Sequence, residues 1–153
     1  MYFTGDGAFK DEDGNFRITG RVDDVIIVSG HNLGTAPIED AINEHDNIAE
    51  SAIVGFPHEI KGNALYGFVT LKSQSENITK IKNEINSLIS KKIGPIAKLD
   101  KIQITTGLPK TRSGKIMRRI LRKIASNQTE NLGDISTLLN PDVVQEIINN
   151  YQK

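Results

Sequence analysis

An α+β fold is what the sequence predicts: a small mixed or antiparallel sheet flanked by helices. Three observations carry the prediction. Short runs such as Val25-Ile26-Ile27-Val28, and the stretches 48–56 and 64–71, have the β-branched and alternating character of strands. Apolar residues at 78, 81, 85, 88 and 89, and again at 116, 117, 120, 121 and 124, recur at helical spacing. Strands and helices are mixed without the strict alternation that builds a parallel α/β sheet. A length of 153 residues suits one ordinary domain, and 37% hydrophobic with 25% charged residues is a globular rather than a disordered composition.

Residues 8–10 and 15–19 read as short strands around Asp11-Glu12-Asp13-Gly14, a turn whose glycine can take positive φ. Gly20-Arg21-Val22-Asp23-Asp24 then interrupts the pattern with charge. After the strand at 25–28, Ser29-Gly30-His31-Asn32-Leu33-Gly34 reads as a tight polar loop. It leads into a helix capped by Thr35, with Pro37 in its first turn and Ile38, Ala41 and Ile42 buried, ending near His45. Residues 57–63 link the next two strands as a loop rather than a tight turn. Gly94-Pro95 stops the helix that begins near Ile78. A short strand at 101–104 precedes a polar, glycine-bearing loop at 105–114. Ile116, Met117, Ile120, Leu121 and Ile124 mark one face of a basic amphipathic helix. Residues 126–139 are irregular. Asn140-Pro141 caps a last helix with Val143, Val144, Ile147, Ile148 and Tyr151 on one face.

Several function classes drop out on composition. The formal net charge is +0, so nothing pulls the whole chain toward nucleic acid or an anionic membrane. The absence of cysteine removes thiolate nucleophiles, disulfides and zinc–sulfur sites. No apolar run approaches the roughly 20 residues that cross a bilayer. The opening Met1-Tyr2-Phe3-Thr4-Gly5-Asp6 lacks the basic and apolar parts of a signal peptide and reads as the interior of a longer protein. Cytoplasm is the default location, to which a eukaryotic source would add nucleus or mitochondria.

Chemistry concentrates in Leu108-Pro109-Lys110-Thr111-Arg112-Ser113-Gly114-Lys115-Ile116-Met117-Arg118-Arg119. Between Pro109 and Ala125 all charges are basic: Lys110, Arg112, Lys115, Arg118, Arg119, Arg122 and Lys123. A solvated helix face, a phosphate or nucleic-acid surface, and an enzyme loop presenting Lys115 to a phosphorylated substrate all fit that composition. No aromatic residue interleaves with these charges, which weakens single-strand stacking. The Gly-x-x-x-x-Gly spacing of a phosphate-binding P-loop is absent.

The string from Pro109 to Arg119 resembles, without a gap, the lysine-bearing loop in the small C-terminal domain of adenylate-forming enzymes, in its acetyl-CoA synthetase version. Tyr2-Phe3-Thr4-Gly5-Asp6 looks like the family's Thr-Gly-Asp motif, and Ile18-Thr19-Gly20-Arg21-Val22-Asp23-Asp24 looks like its hinge. The resemblance extends to Asn131-Leu132-Gly133-Asp134. It implies that residues 1–20 are the tail of a large N-terminal domain, 21–24 the hinge, and 25–153 the mobile C-terminal domain. It implies an AMP-forming acetate–CoA ligase, using ATP, CoA and magnesium, that converts acetate to acetyl-CoA, AMP and diphosphate through acetyl-adenylate. Lys115 would be catalytic in adenylation and a site for a lysine acetyltransferase and a deacetylase. Asp6, Arg21 and Asn32 would bind the nucleotide, Ser29, Gly30 and Ser90 the CoA, and Asp23 would pivot the domain. Asn43, His45 and Ile48 would hold magnesium, through backbone oxygens given that ion's preference.

Some positions depart from the family pattern. Asn32 and Ser90 stand where arginines are usual, and Ile27 stands where a polar residue is common. Lys91 and Lys92 are the candidate substitutes beside Ser90. His58 reads as a structural surface residue, and Asp11, Glu12 and Asp13 as a solvated turn.

Overall fold

The structure, a computed structural model, describes residues 5–73 and 77–151. The Tyr2-Phe3-Thr4 part of the first motif lies outside them. At the centre stands a three-stranded sheet in the order β5 (Ile48–His58), β6 (Gly62–Leu71), β7 (Lys101–Thr105). β5 and β6 are antiparallel, whereas β7 runs parallel to β6. A parallel neighbour needs a crossover, and α2 (Ile78–Lys92) supplies it. The sheet is therefore mixed, one of the two arrangements the sequence allows.

β6 is buried without a break from Ala64 to Thr70 because helices cover both faces of the sheet. Leu65 and Val69 point into one core with α1 (Thr35–Asn43) and α2, while Tyr66 and Phe68 point into the other with α3 (Arg118–Ala125) and α4 (Asp142–Asn149). On β5, Ile48 and Ile53 face the same core although they are five positions apart, an odd offset. A bulge between Ile48 and Glu50 inserts the extra residue that restores the phase. Ile81, Ile85 and Ile89 of α2 are fully buried, each contributing about 1.5–3 kcal/mol of transfer free energy. Asn77 caps this helix, accepting the Lys80 N–H at 3.2 Å.

A buried polar tie runs through the second core. Buried Gln103 of β7 accepts from the Tyr66 hydroxyl at 2.8 Å and donates to the Ile147 carbonyl at 2.9 Å, linking sheet to α4. Tyr66 stacks on Phe68 with ring centres 4.5 Å apart.

Five local expectations need correction. His31–Gly34 is a strand, β4, paired antiparallel with β3 (Val25–Val28), so the polar loop shrinks to the two-residue turn Ser29-Gly30. Both turn residues have positive φ, +48° and +81°, as the twist of a two-residue hairpin demands. β5 and β6 likewise extend past Pro57 to a three-residue tip at 59–61. The proline is tolerated because β5 is an edge strand. Gly34, not Thr35, is the N-cap of α1, and α3 begins at Arg118, leaving Ile116 and Met117 before the helix. Asn140 does not cap α4; its side chain turns to the lysine loop instead.

β1 (Asp6–Lys10) and β2 (Phe16–Arg21) form a separate hairpin, and β2 carries strand geometry through Gly20 and Arg21. A single 3-10 turn, Val22–Asp24, joins it to β3.

Candidate functional site

Lys115 lies on the return arm of a short hairpin, not on the helix. The Gly114 N–H donates to the Thr111 carbonyl and the Thr111 N–H donates to the Lys115 carbonyl, both at 2.9 Å. Lys110 bridges Ile116 below them, and the Met117 N–H reaches the Pro109 carbonyl at 2.8 Å. Gly114 at φ +84° closes the loop, the bond pattern of a three-residue hairpin whose last loop residue is left-handed. The Thr111 hydroxyl, which accepts from the Lys115 N–H at 3.1 Å, ties the arms together. Both backbone groups of Lys115 are thus hydrogen-bonded while its side chain is exposed, with no ion-pair partner among the described residues.

Four of its six basic neighbours between Pro109 and Ala125 are committed elsewhere. Lys110 pairs with Glu50 of β5, Arg122 with Asp24 at 3.6 Å, and Lys123 with the Asn131 carbonyl. Arg118 makes a bidentate contact with Glu39, its Nε at 3.3 Å and its terminal nitrogen at 2.6 Å. These internal bonds remove much of the free charge that a nucleic-acid surface would need.

Glu39 is the residue that sequence reading missed. It sits on α1 with Thr35, Ile38 and Ile42 on the face toward the sheet, and it also accepts the Ile53 N–H at 2.9 Å. Burial pushes its carboxyl above the ordinary 4.5, against the hydrogen bonds from Arg118 and Ile53 that lower it. An acidic residue in the i, i+3, i+4, i+7 pattern of a buried stripe was the available signal.

The second loop of interest is the Ser29-Gly30 turn. The Ser29 N–H donates to the Lys61 carbonyl at 3.0 Å and the Asn63 amide donates to the Ile27 carbonyl at 3.1 Å, so the turn is fixed to the tip of the β5–β6 hairpin. Lys61 is in turn paired with Asp100. No atom would obstruct a Cβ at Gly30, so backbone geometry rather than crowding calls for glycine there. Asn32 and Ile27 are opposite one another across β3–β4 and both exposed. The lysine hairpin is pinned at Glu50 and this turn at Lys61. Glu50 and His58, eight residues apart on β5, span roughly 26 Å at 3.3 Å per residue. The structure therefore puts Lys115 and Ser29-Gly30 at opposite ends of one strand pair.

Asp6 and Arg21 are direct cross-strand partners on β1 and β2, which brings together two of the three residues that the resemblance implies for the nucleotide. The backbone of Asp23 lies in the 3-10 turn; its side chain is outside the described set. Ser90 is turned inward: its hydroxyl is buried with no hydrogen-bond partner among the described residues. Lys92 pairs with Glu44, whereas Lys91 lines an open cleft of about 590 Å³ together with His45 and Glu84.

The side chains of Asn43, His45 and Ile48 do not form a magnesium site. Asn43 accepts from the Ser51 hydroxyl at 2.8 Å, and the His45 ring is engaged by Glu84 and the Asn47 N–H. Ile48 is apolar and buried. Among the described residues no three His, Cys, Asp or Glu side chains gather around a common point. Nor does any helix among them have the length and apolarity to cross a membrane.

Residues 37–115 match the AMP-binding enzyme C-terminal domain family. The chain belongs to that family. Over 152 residues it is 60% identical to the acetyl-coenzyme A synthetase of Syntrophobacter fumaroxidans, covering 99% of this chain and 23% of that protein. The Brucella canis acyl-CoA synthetase superposes with a TM-score of 0.64 at 35% identity, over 78% of this chain and 22% of that one. The anthranilate CoA ligase AuaEII, in complex with anthranoyl-AMP, gives 0.74 at 30% identity, over 81% and 24%. The chain spans under a quarter of each relative's length. The family's matched span ends at Lys115 itself, so α3, α4 and the segment between them lie beyond it.

Proposed function

We propose that the chain is the C-terminal part of an AMP-forming acetyl-CoA synthetase, with residues 1–20 belonging to the large domain, 21–24 the hinge and 25–153 the mobile domain. The observation that carries this reading is the placement of two functional loops at opposite ends of the β5–β6 hairpin. An exposed, unpaired ammonium on a stiff loop suits adenylation; a small-residue turn with open backbone suits the approach of a thiol arm. Two ends of one rigid body cannot serve one active site together, so the domain turns between steps.

In the first step an acetate oxygen attacks the α-phosphorus of ATP, forming acetyl-adenylate as pyrophosphate leaves. Lys115 balances the charge gathering on the acetate oxygen and α-phosphate, a purely electrostatic task for a preorganised cation. Asp6, facing Arg21, accepts hydrogen bonds from the ribose hydroxyls. Asn32 offers hydrogen bonds without the charge of an arginine and so gives a weaker phosphate contact. In the second step the CoA sulfur attacks the acyl carbon, the thiol loses its proton and AMP departs, with Ser29 and Gly30 lining the arm. The CoA phosphate contact passes from inward-turned Ser90 to Lys91. Asp23 is the pivot. Acetylation of Lys115 by an acetyltransferase removes its charge and stops adenylation, and a deacetylase restores it. At Asn43, His45 and Ile48 only backbone oxygens would be left to hold magnesium.

The test is acetate-dependent pyrophosphate release by the complete synthetase, compared with Lys115→Ala, alongside thioester formation from supplied acetyl-adenylate. The expected result is loss of the first activity with the second retained, and neither from this chain alone. Equal, mild effects on both steps would make the lysine loop structural and defeat the assignment.

A further inference from the structure

The stem that carries Lys115 is held from a part of the chain outside the family's matched span. Residues 109–111 behave as the middle strand of three. On one side the Pro109 carbonyl and Thr111 N–H bond to Met117 and Lys115. On the other, the Lys110 carbonyl accepts the Leu139 N–H at 2.9 Å, and Thr111 bridges Leu138. The next rung is supplied by a side chain. Asn140 accepts the Lys110 N–H at 3.2 Å and donates to the Leu108 carbonyl at 2.9 Å. One amide thus serves both backbone groups that flank Pro109, which has no N–H of its own.

The fit around this amide is close. A Cβ on Gly107 would meet the Asn140 amide nitrogen at 3.5 Å and a Val143 methyl at 3.3 Å. Leu138 is buried in the core that α3 and α4 share. The segment 138–140 is therefore anchored from below and presents a fixed edge to the stem.

We infer that Asn140 is a positioning residue for Lys115, an inference that rests on the adenylation reading above. It does not touch substrate. It holds the 108–110 backbone, across which the arm bearing Lys115 is hydrogen-bonded, so its loss lets the ammonium wander from the reacting atoms. A misplacement of about 1 Å from a remote change can cost on the order of 100-fold in rate.

The experiment compares Asn140→Ala with Lys115→Ala and the wild type in the complete synthetase, measuring both half-reactions. Amide hydrogen exchange is followed at Thr111 and Met117, whose bonds lie across the stem from Asn140. The expected result for Asn140→Ala is adenylation reduced by about 10- to 100-fold, thioester formation unchanged, and faster exchange at those two amides with β5 unaffected. Undiminished adenylation, or a parallel fall in both half-reactions, overturns the inference. If Lys115→Ala itself leaves adenylation intact, the functional reading fails, and unchanged Thr111 and Met117 exchange is then what refutes the hold of Asn140 on the stem. Should the alanine variant not fold, Asn140→Asp takes its place: it keeps the acceptor for Lys110 and loses the donor to Leu108. Its expected effect has the same pattern at smaller size, and wild-type adenylation and exchange in that variant refute the inference equally.

Discussion

Arg118→Ala probes the one strongly buried ion pair beside the lysine hairpin. Removing the guanidinium strands the Glu39 carboxylate, whose side chain is 11% exposed. Breaking a buried pair costs about 3–5 kcal/mol. Arg118 is 25% exposed, and the Ile53 N–H still solvates the carboxylate, so the expected loss at neutral pH is about 2–4 kcal/mol. For a domain of this size that is a fall of about 5–15 °C in Tm. The pH dependence discriminates. Burial raises the folded-state Glu39 above its ordinary 4.5, so its contribution to stability is present below that value and lost as pH rises through the folded value. Without Arg118 the hydrogen bond and attraction that lower it vanish and the window widens upward. The deficit of Arg118→Ala relative to wild type should therefore shrink between about pH 7.5 and about pH 5 in urea unfolding. Adding Glu39→Gln, which keeps an oxygen for Ile53 and removes the charge, should recover most of the loss at the higher pH. A deficit equal at both pH values and untouched by Glu39→Gln would refute the stranded-charge account.

Two further expectations test the packing of the sheet. Gly67→Ala would bring a methyl to 2.5 Å from a Leu99 methyl and 3.3 Å from one of Ile53, both residues being buried, so thermal unfolding should register a loss of about 1–3 kcal/mol. Tyr66→Phe removes the donor to Gln103 and leaves a buried amide oxygen unpaired; about 1–3 kcal/mol should disappear in denaturant unfolding.

Elements with a strong period were legible in the sequence: β3 from Val25-Ile26-Ile27-Val28, α2 from its isoleucines, and the two long strands. β4 was not, because His31-Asn32-Leu33-Gly34 lacks β-branched residues and its pairing is imposed by the Ser29-Gly30 turn. The lysine loop was legible as a motif but not as a shape. Its hairpin depends on bonds to Pro109, Leu138 and Leu139 that no local pattern announces. Asn140 was misread because Asn before Pro at a helix start is a strong local signal, and a tertiary partner outbid it. Glu39 was overlooked because helical periodicity was counted over apolar residues alone. The inward turn of Ser90 was equally invisible, since rotation about a helix is set by what the helix packs against.

The doubly covered β6 strand has a mechanical consequence. A body whose two loops are pinned at strand positions roughly 26 Å apart behaves as a lever, and one degree of internal bend over that length displaces the far end by about half an ångström. That is the whole placement tolerance of a catalytic group. Burial on both faces makes the lever stiff, so under the hinge proposed above angular error enters at the fulcrum, the short turn around Asp23. Substitutions that soften the core without unfolding it should blur the aim of both loops at once, however far they lie from either.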